Sequence, residues 1–270
     1  MLIEDSSNVS VTNLQTERNL WGVRVLGSTD VVVASNTLLD TGQEAIHVGE
    51  HSTCIRLEGN RIDVTGQRSG GKDYGEGIYL GTADTHDGGE FDVVSDVTIV
   101  GNHISNTTAE AIELKSSVEN VVIRENLVHD IEVHSGGAIS VGIGERTFDA
   151  DVIIEENAIW NVTTRSRWAD GIGIRLSSSA VVRSNVVFNT ADYGVLLDEN
   201  IRPVDGSVAI EGNLIFSTGR AEVVDRSAGT GTPVIISGTI SGEEARELLE
   251  GLGQSLDRPS PVALLAALSA

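Results

Sequence analysis

The chain has 270 residues, 40% of them hydrophobic, and 18 Lys+Arg against 40 Asp+Glu give a formal charge of −22. The apolar content supports a packed core and excludes disorder, while so acidic a surface repels nucleic acid and anionic membranes and excludes both as primary partners. A single cysteine, Cys54, excludes an internal disulfide; no apolar run, Val262–Leu268 included, approaches the ~18 residues of a membrane helix, which excludes membrane insertion.

The chain opens Met1-Leu2-Ile3-Glu4, acidic and strand-like, with no secretory signal. An apolar segment broken by asparagine then recurs. It is weak at Asn13 and clear at Asn36, Asn60, Asn102, Asn126, Asn157, Asn185 and Asn213, with successive clear spacings of 24, 42, 24, 31, 28 and 28 residues. The unit is therefore about 24 residues, with insertions in some repeats. The asparagines are expected to stack at a tight bend, where Asn tolerates unusual backbone angles and its amide can bond the Asn of the next repeat.

A second series lies between the asparagines. In chain order it runs Gly22–Val25, Ala45–Val48, Gly77–Leu80, Ala111–Leu114, Ala138–Val141, Gly171–Ile174 and Gly194–Leu197. Each reads small, apolar, variable, apolar. That period of two marks a strand with one buried face, and the 3.6 period of a helix is absent. Short strands stacked in register over such a repeat predict an all-β fold, a single-stranded right-handed parallel β-helix of about seven to eight coils over residues 1–237. Residues 238–270 are expected to form the end cap and tail. There Ser241-Gly242-Glu243-Glu244 has capping-box spacing and Ala245–Leu252 reads as a short amphipathic helix. The N-terminal end shows no cap, which points to a truncated chain, a partner chain or a missing domain.

The variable position of the strand series places Arg24, His47, Tyr79, Glu113, Ser140, Gly173 and Leu196 in one outward column. A position two residues further along brings Lys115, with Arg175 near it in phase. This mixture of cation, imidazole, aromatic and carboxylate is richer than an ordinary solvated face and is a candidate ligand site. A third column precedes the strand and holds Glu44, Glu76, Glu110 and Asp170. Stacked carboxylates repel; calcium, which takes oxygen ligands, would compensate them, and so would hydrogen bonds from turn N–H groups. The longest insertions flank Gly77–Leu80, and the second carries Asp84 and Asp87 as further candidate metal ligands. His134 and Trp168, in other corners and insertions, are candidate substrate contacts together with Arg24 and Glu113.

The stretches Tyr74–Thr82 and Thr107–Ser117 resemble bacterial right-handed parallel β-helix repeat proteins of the pectate-lyase-like superfamily, over roughly residues 1–235. Glu110-Ala-Ile-Glu-Leu-Lys115-Ser-Ser is similar to the acid-plus-lysine strand of polysaccharide lyases of the chondroitinase B and alginate lyase kind. The resemblance implies Glu110 as a calcium ligand, Lys115 as Brønsted base, and an acidic polysaccharide as substrate of an extracellular or periplasmic protein. Tyr79 or His47 would then protonate the leaving oxygen. The chain departs from that pattern in the coil after Lys115, where Ser140 and Val141 stand in place of arginine; Arg175, two coils on, is the nearest substitute. A lysine kept charged by Glu113 is the competing reading, and with it a β-helix module that binds glycans or serves a surface role without catalysis.

Overall fold

The computed structural model describes residues 1–67, 75–82, 92–115, 117–134, 136–143, 151–165, 170–199, 206–227, 231–252 and 263–264, without the side chains of Ile143 and Arg246. Three parallel sheets of nine strands each make up the body, and each coil gives one strand to every sheet. The first sheet stacks Leu2–Glu4, Val23–Leu26, Ile46–Gly49, Ile78–Leu80, Ile112–Lys115, Gly137–Ile143, Ile172–Leu176, Tyr193–Leu197 and Ala221–Asp225. This is the parallel β-helix that the repeat predicts, with nine rungs, or about 38 Å of stacked strands.

The interior follows from the period of two. In the first sheet Val25, Val48, Leu80, Leu114, Val141, Leu176 and Leu197 are Cα partners in succession, each fully buried. Removing one such side chain from water stabilises by about 1.5–3 kcal/mol. The small residue that opens each strand is needed because the next coil's backbone lies against it. A Cβ on Gly77 would sit 2.6 Å from the Ala111 carbonyl oxygen, and one on Gly173 would sit 2.6 Å from that of Gly194.

The asparagine column forms one buried hydrogen-bonded ladder. Asn36 Nδ2 donates to Asn60 Oδ1 at 2.9 Å, and the same bond joins Asn60 to Asn102, Asn102 to Asn126, Asn126 to Asn157, Asn157 to Asn185 and Asn185 to Asn213 at 2.9–3.0 Å. The unusual backbone angle lies one residue earlier than expected. Ser35, Gly59, Gly101, Glu125, Glu156, Ser184 and Gly212 carry φ of 53 to 63°, and none of the ladder asparagines has positive φ. Asn13 belongs to this left-handed series, with φ 55°, and not to the ladder; Leu14 stands in the ladder position and donates its N–H to Asn36 Oδ1. At the far end Thr239 takes the equivalent place, since Leu214 pairs with Ile240. Counting asparagines therefore misses the first and last rungs. In all nine coils two residues, the left-handed one and the ladder one, separate the second sheet's strand from the third's, as between Glu58 and Arg61 or Glu211 and Leu214.

The C-terminal helix spans Gly242–Gly251 and follows directly on Ile240–Ser241, the last strand of the third sheet. Ser241 is its N-cap, but its side chain makes no capping bond, so the expected capping box does not form. The helix is held by packing: Ala245, Leu249 and Leu264 bury Phe188, Phe216, Val186 and Leu214 of the third sheet. At the opposite end Met1 and Leu2 are each 54% exposed.

Candidate functional site

The outward column of the first sheet is observed with one change. Arg24, His47, Tyr79, Glu113 and Ser140 are successive Cα partners, and the next member is Arg175, followed by Leu196. Gly173 is not in this column. In that coil Gly173–Leu176, not Gly171–Ile174, matches Ala138–Val141, two residues further along than the repeat predicts. A slip of two keeps every side chain on its own face, so hydrophobic pattern cannot detect it. Lys115 pairs with Ile143 across a register shift, a bulge that takes up Gly142 at φ 76°.

Lys115 reaches back along its own strand. Its Nζ lies 2.5 Å from Glu113 Oε1, and it sits 5.2 Å from the centre of the Tyr79 ring. His47 contacts the same ring edge-on at 4.9 Å. Arg24 packs over Trp21 at 5.1 Å at the N-terminal end of the column. Arg175 Nε donates to Asp198 Oδ2 at 2.9 Å; sequence reasoning gave Asp198 no role, although it directly follows the strand.

The carboxylate column holds Glu44, Glu76 and Glu110, all buried. Asp170 does not belong to it. The register puts Ile172 at that level, and Asp170 instead pairs with Arg220 at 3.1 Å and Arg226 at 3.6 Å. In its place Glu113 joins: Glu76, Glu110 and Glu113 each offer an oxygen within 4.8 Å of the others. Glu76 Oε2 accepts the Gly75 N–H at 2.8 Å, whereas Glu110 Oε1 is buried without a hydrogen-bond partner. Turn N–H groups thus compensate only part of this charge.

Burial and neighbouring carboxylates set the electrostatics. Glu110 is pushed up to about 8 by burial and then by Glu113, with Lys115 and Arg175 opposing. Burial, then Glu113, also raises Glu76 well above the carboxylate range, and burial raises Glu44. His47 is lowered to about 4, first by burial and then by Arg24, and is neutral at pH 7.

The structure therefore brings together His47, Tyr79, Glu113, Lys115, Glu76 and Glu110, with Arg24 and Arg175 at either end of the column. His134 lies at the corner entering the strand Gly137–Ile143, two residues before Gly136, where an added Cβ would come against Glu110 Oε1. Asp84, Asp87 and Trp168 lie outside the described residues.

The family model for the right handed beta helix region matches residues 1–145 and 73–238. The chain belongs to this right-handed β-helix family. Solved structures that resemble this β-helix include an alginate lyase from Paenibacillus sp. str. FPU-7, at 15% identity and TM-score 0.65, over 87% of this chain and 75% of the lyase. The periplasmic alginate epimerase AlgG matches at 17% identity and TM-score 0.65, over 86% of this chain and 50% of the epimerase. The catalytic domain of a GH87 alpha-1,3-glucanase in complex with nigerose matches at 13% identity and TM-score 0.55, over 86% of this chain and 49% of the glucanase. The chain thus spans only about half the length of the latter two. No curated protein matches in sequence. At these identities the structures agree in fold. Among the described residues, no helix is long and apolar enough to cross a membrane.

Proposed function

We propose that this β-helix acts on an acidic, uronate-containing polysaccharide by β-elimination, in an extracellular or periplasmic setting, with the outer face of the first sheet as its site. One observation carries the reading: three buried carboxylates, Glu76, Glu110 and Glu113, converge beside Lys115. Like charges so placed are costly without a cation, and an all-oxygen set with an unpartnered Glu110 Oε1 fits calcium. Calcium held there would neutralise the substrate's carboxylate and so acidify the adjacent C5 proton.

The chain's own residues supply the rest. Lys115 takes the C5 proton, the electron pair forms the C4–C5 double bond, and the C4–O bond breaks. Tyr79, the Cα partner of Glu113, has its ring centre 5.2 Å from Lys115 Nζ and gives a proton to the leaving oxygen. His47, neutral at pH 7, is a poor proton donor; its edge-on contact positions the Tyr79 ring. Arg24 and Arg175 bracket the column and suit neighbouring uronates. That alginate-acting proteins are among the similar folds supports this substrate class.

The close Glu113–Lys115 pair favours a second reading, because the amine is already engaged by a carboxylate at 2.5 Å, as in an ion pair that only shapes the face. On that reading the face binds a glycan without cleaving it. Incubation with alginate, pectate and glycosaminoglycans in calcium separates the two. Ultraviolet absorbance of an unsaturated product supports elimination; binding without product on any of them sinks it.

A further inference from the structure

The third sheet carries a feature that the first-sheet site does not use. His129, Trp160, Phe188 and Phe216 are successive Cα partners, and their rings stack at centroid distances of 4.4, 5.9 and 5.1 Å. His103, one coil earlier, closes this row: its Nε2 lies 2.6 Å from His129 Nε2. The two histidines are diagonal neighbours, since His103 pairs with Leu127 and Ser105 with His129. Phe188 and Phe216 are covered by the C-terminal helix, and because the rings stack face to face along the rod, the uncovered end of the row turns edges, not faces, to solvent. A sugar ring has no face to pack on here, but ring nitrogens are presented.

The orientation of His129 is fixed on two sides. Trp160 lies against its face at an interplanar angle of 19°, and Asp130 Oδ2 engages Nδ1 at 2.7 Å. A carboxylate on Nδ1 holds the proton there and leaves Nε2 with a bare lone pair. This is the arrangement seen in metal-ligating histidines, whose other nitrogen donates to a carboxylate. The lone pair points at His103, an exposed residue. With the His129 proton on Nδ1, the 2.6 Å contact between the two Nε2 atoms is a hydrogen bond that His103 Nε2 donates. A tetrahedral ion with bonds of about 2.0–2.1 Å would hold them roughly 3.3 Å apart, so the rings need to part by less than 1 Å, with the His103 proton moved to Nδ1. Asp63 adds negative charge close to both His103 and Asp130. Arg61, in register with His103, opposes a cation, but its guanidinium is turned to Asp63 at 3.4 Å.

We propose that His103 and His129 bind a first-row transition-metal ion of the zinc or copper class, with Asp130 as positioning residue and water completing the shell. Such an ion joins two adjacent coils of the third sheet. It is chemically distinct from the carboxylate site, since imidazole selects zinc or copper and an all-oxygen set selects calcium.

The test uses untagged, metal-free protein titrated with zinc chloride by calorimetry, and thermal melts with and without zinc. Copper(II) supplies a second readout, because an ion on His129 lies beside Trp160 and quenches its fluorescence. Zinc is expected to raise the melting temperature, as a ligand of the folded state alone must. His103→Ala and His129→Ala should each lose at least tenfold in affinity, and Asp130→Asn about tenfold. Glu110→Gln should leave zinc binding unchanged, and excess calcium should not compete. Unchanged zinc affinity in His103→Ala would overturn the proposal, as would loss of zinc binding in Glu110→Gln. Should His129→Ala fail to fold, His103→Ala decides, because its ring is exposed and lies at the open end of the stack.

Discussion

Lys115 Nζ lies 2.5 Å from Glu113 Oε1, with their side chains only 13% and 5% exposed. If Lys115 moves the proton, Lys115→Ala should lower the rate of unsaturated-product formation by about a hundredfold or more, with the melting temperature held within a few degrees. Activity retained in that variant would move the base elsewhere.

Glu110 gives a pH dependence of stability with a defined sign. Its acid form is favoured in the folded state, where its pKa is pushed up to about 8, above the unfolded value of 4.5. Its contribution is therefore fully present below pH 4.5 and is lost as pH rises towards 8. In chelator, Glu110→Gln should melt on the order of 5 °C higher than the native chain at pH 8, and the gap should close by pH 4.5. A gap that widens on acidification would contradict this assignment.

His47 acts in the opposite direction. Lowered to about 4 by burial and Arg24, it stabilises above its unfolded value of 6.5 and loses that contribution as pH falls towards 4. His47→Gln should flatten the loss of stability between pH 6.5 and 4, as read from denaturant midpoints across that range.

The ladder predicts a larger effect. Asn157 Oδ1 accepts from the N–H and the Nδ2 of Asn126, and its own Nδ2 donates to the Ile123 and Glu155 carbonyls and to Asn185. Asn157→Ala leaves several buried groups unpaired, at about 1–3 kcal/mol each. The melting temperature should fall by about 10 °C or more.

Backbone contact sets the cost at Gly77. An added methyl would press on the Ala111 carbonyl oxygen at 2.6 Å and on Ile104 at 2.7 Å. Gly77→Ala should lower stability by about 1–3 kcal/mol in chemical denaturation, and should reduce activity because Tyr79 stands two residues along the same strand.

The sequence made the fold and most of the site column legible because both rest on local pattern. Alternation marked the strands, and the recurrence of Asn36 to Asn213 fixed which strands stack. What escaped was relative position along a strand. Gly173 and Arg175 share a face, so only the backbone pairing of Ser140 with Arg175 tells them apart. For the same reason Asp170 read as a fourth acid of the column, whereas Glu113 completes the carboxylate cluster from the strand itself. His129 shares with Trp160, Phe188 and Phe216 the place three residues after a ladder asparagine, but the His103–His129 pair was invisible because its members lie 26 residues apart and two positions out of register.

The two-residue corner between the second and third sheets never changes length, while the spacing from one ladder asparagine to the next ranges from 24 to 42 residues. The surplus falls on the connections into and out of the first sheet: on both sides of Ile78–Leu80, after Gly137–Ile143, before Ile172–Leu176 and after Tyr193–Leu197. The fixed corner therefore works as an indexing device: each turn re-zeroes the phase of the coil, however much chain was spent before it. Loops bordering the carboxylate face can be lengthened, exchanged or shortened at little cost to the rod. Foldability and ligand choice are thus written into different corners of one repeat, and the second can be rewritten while the first stays fixed.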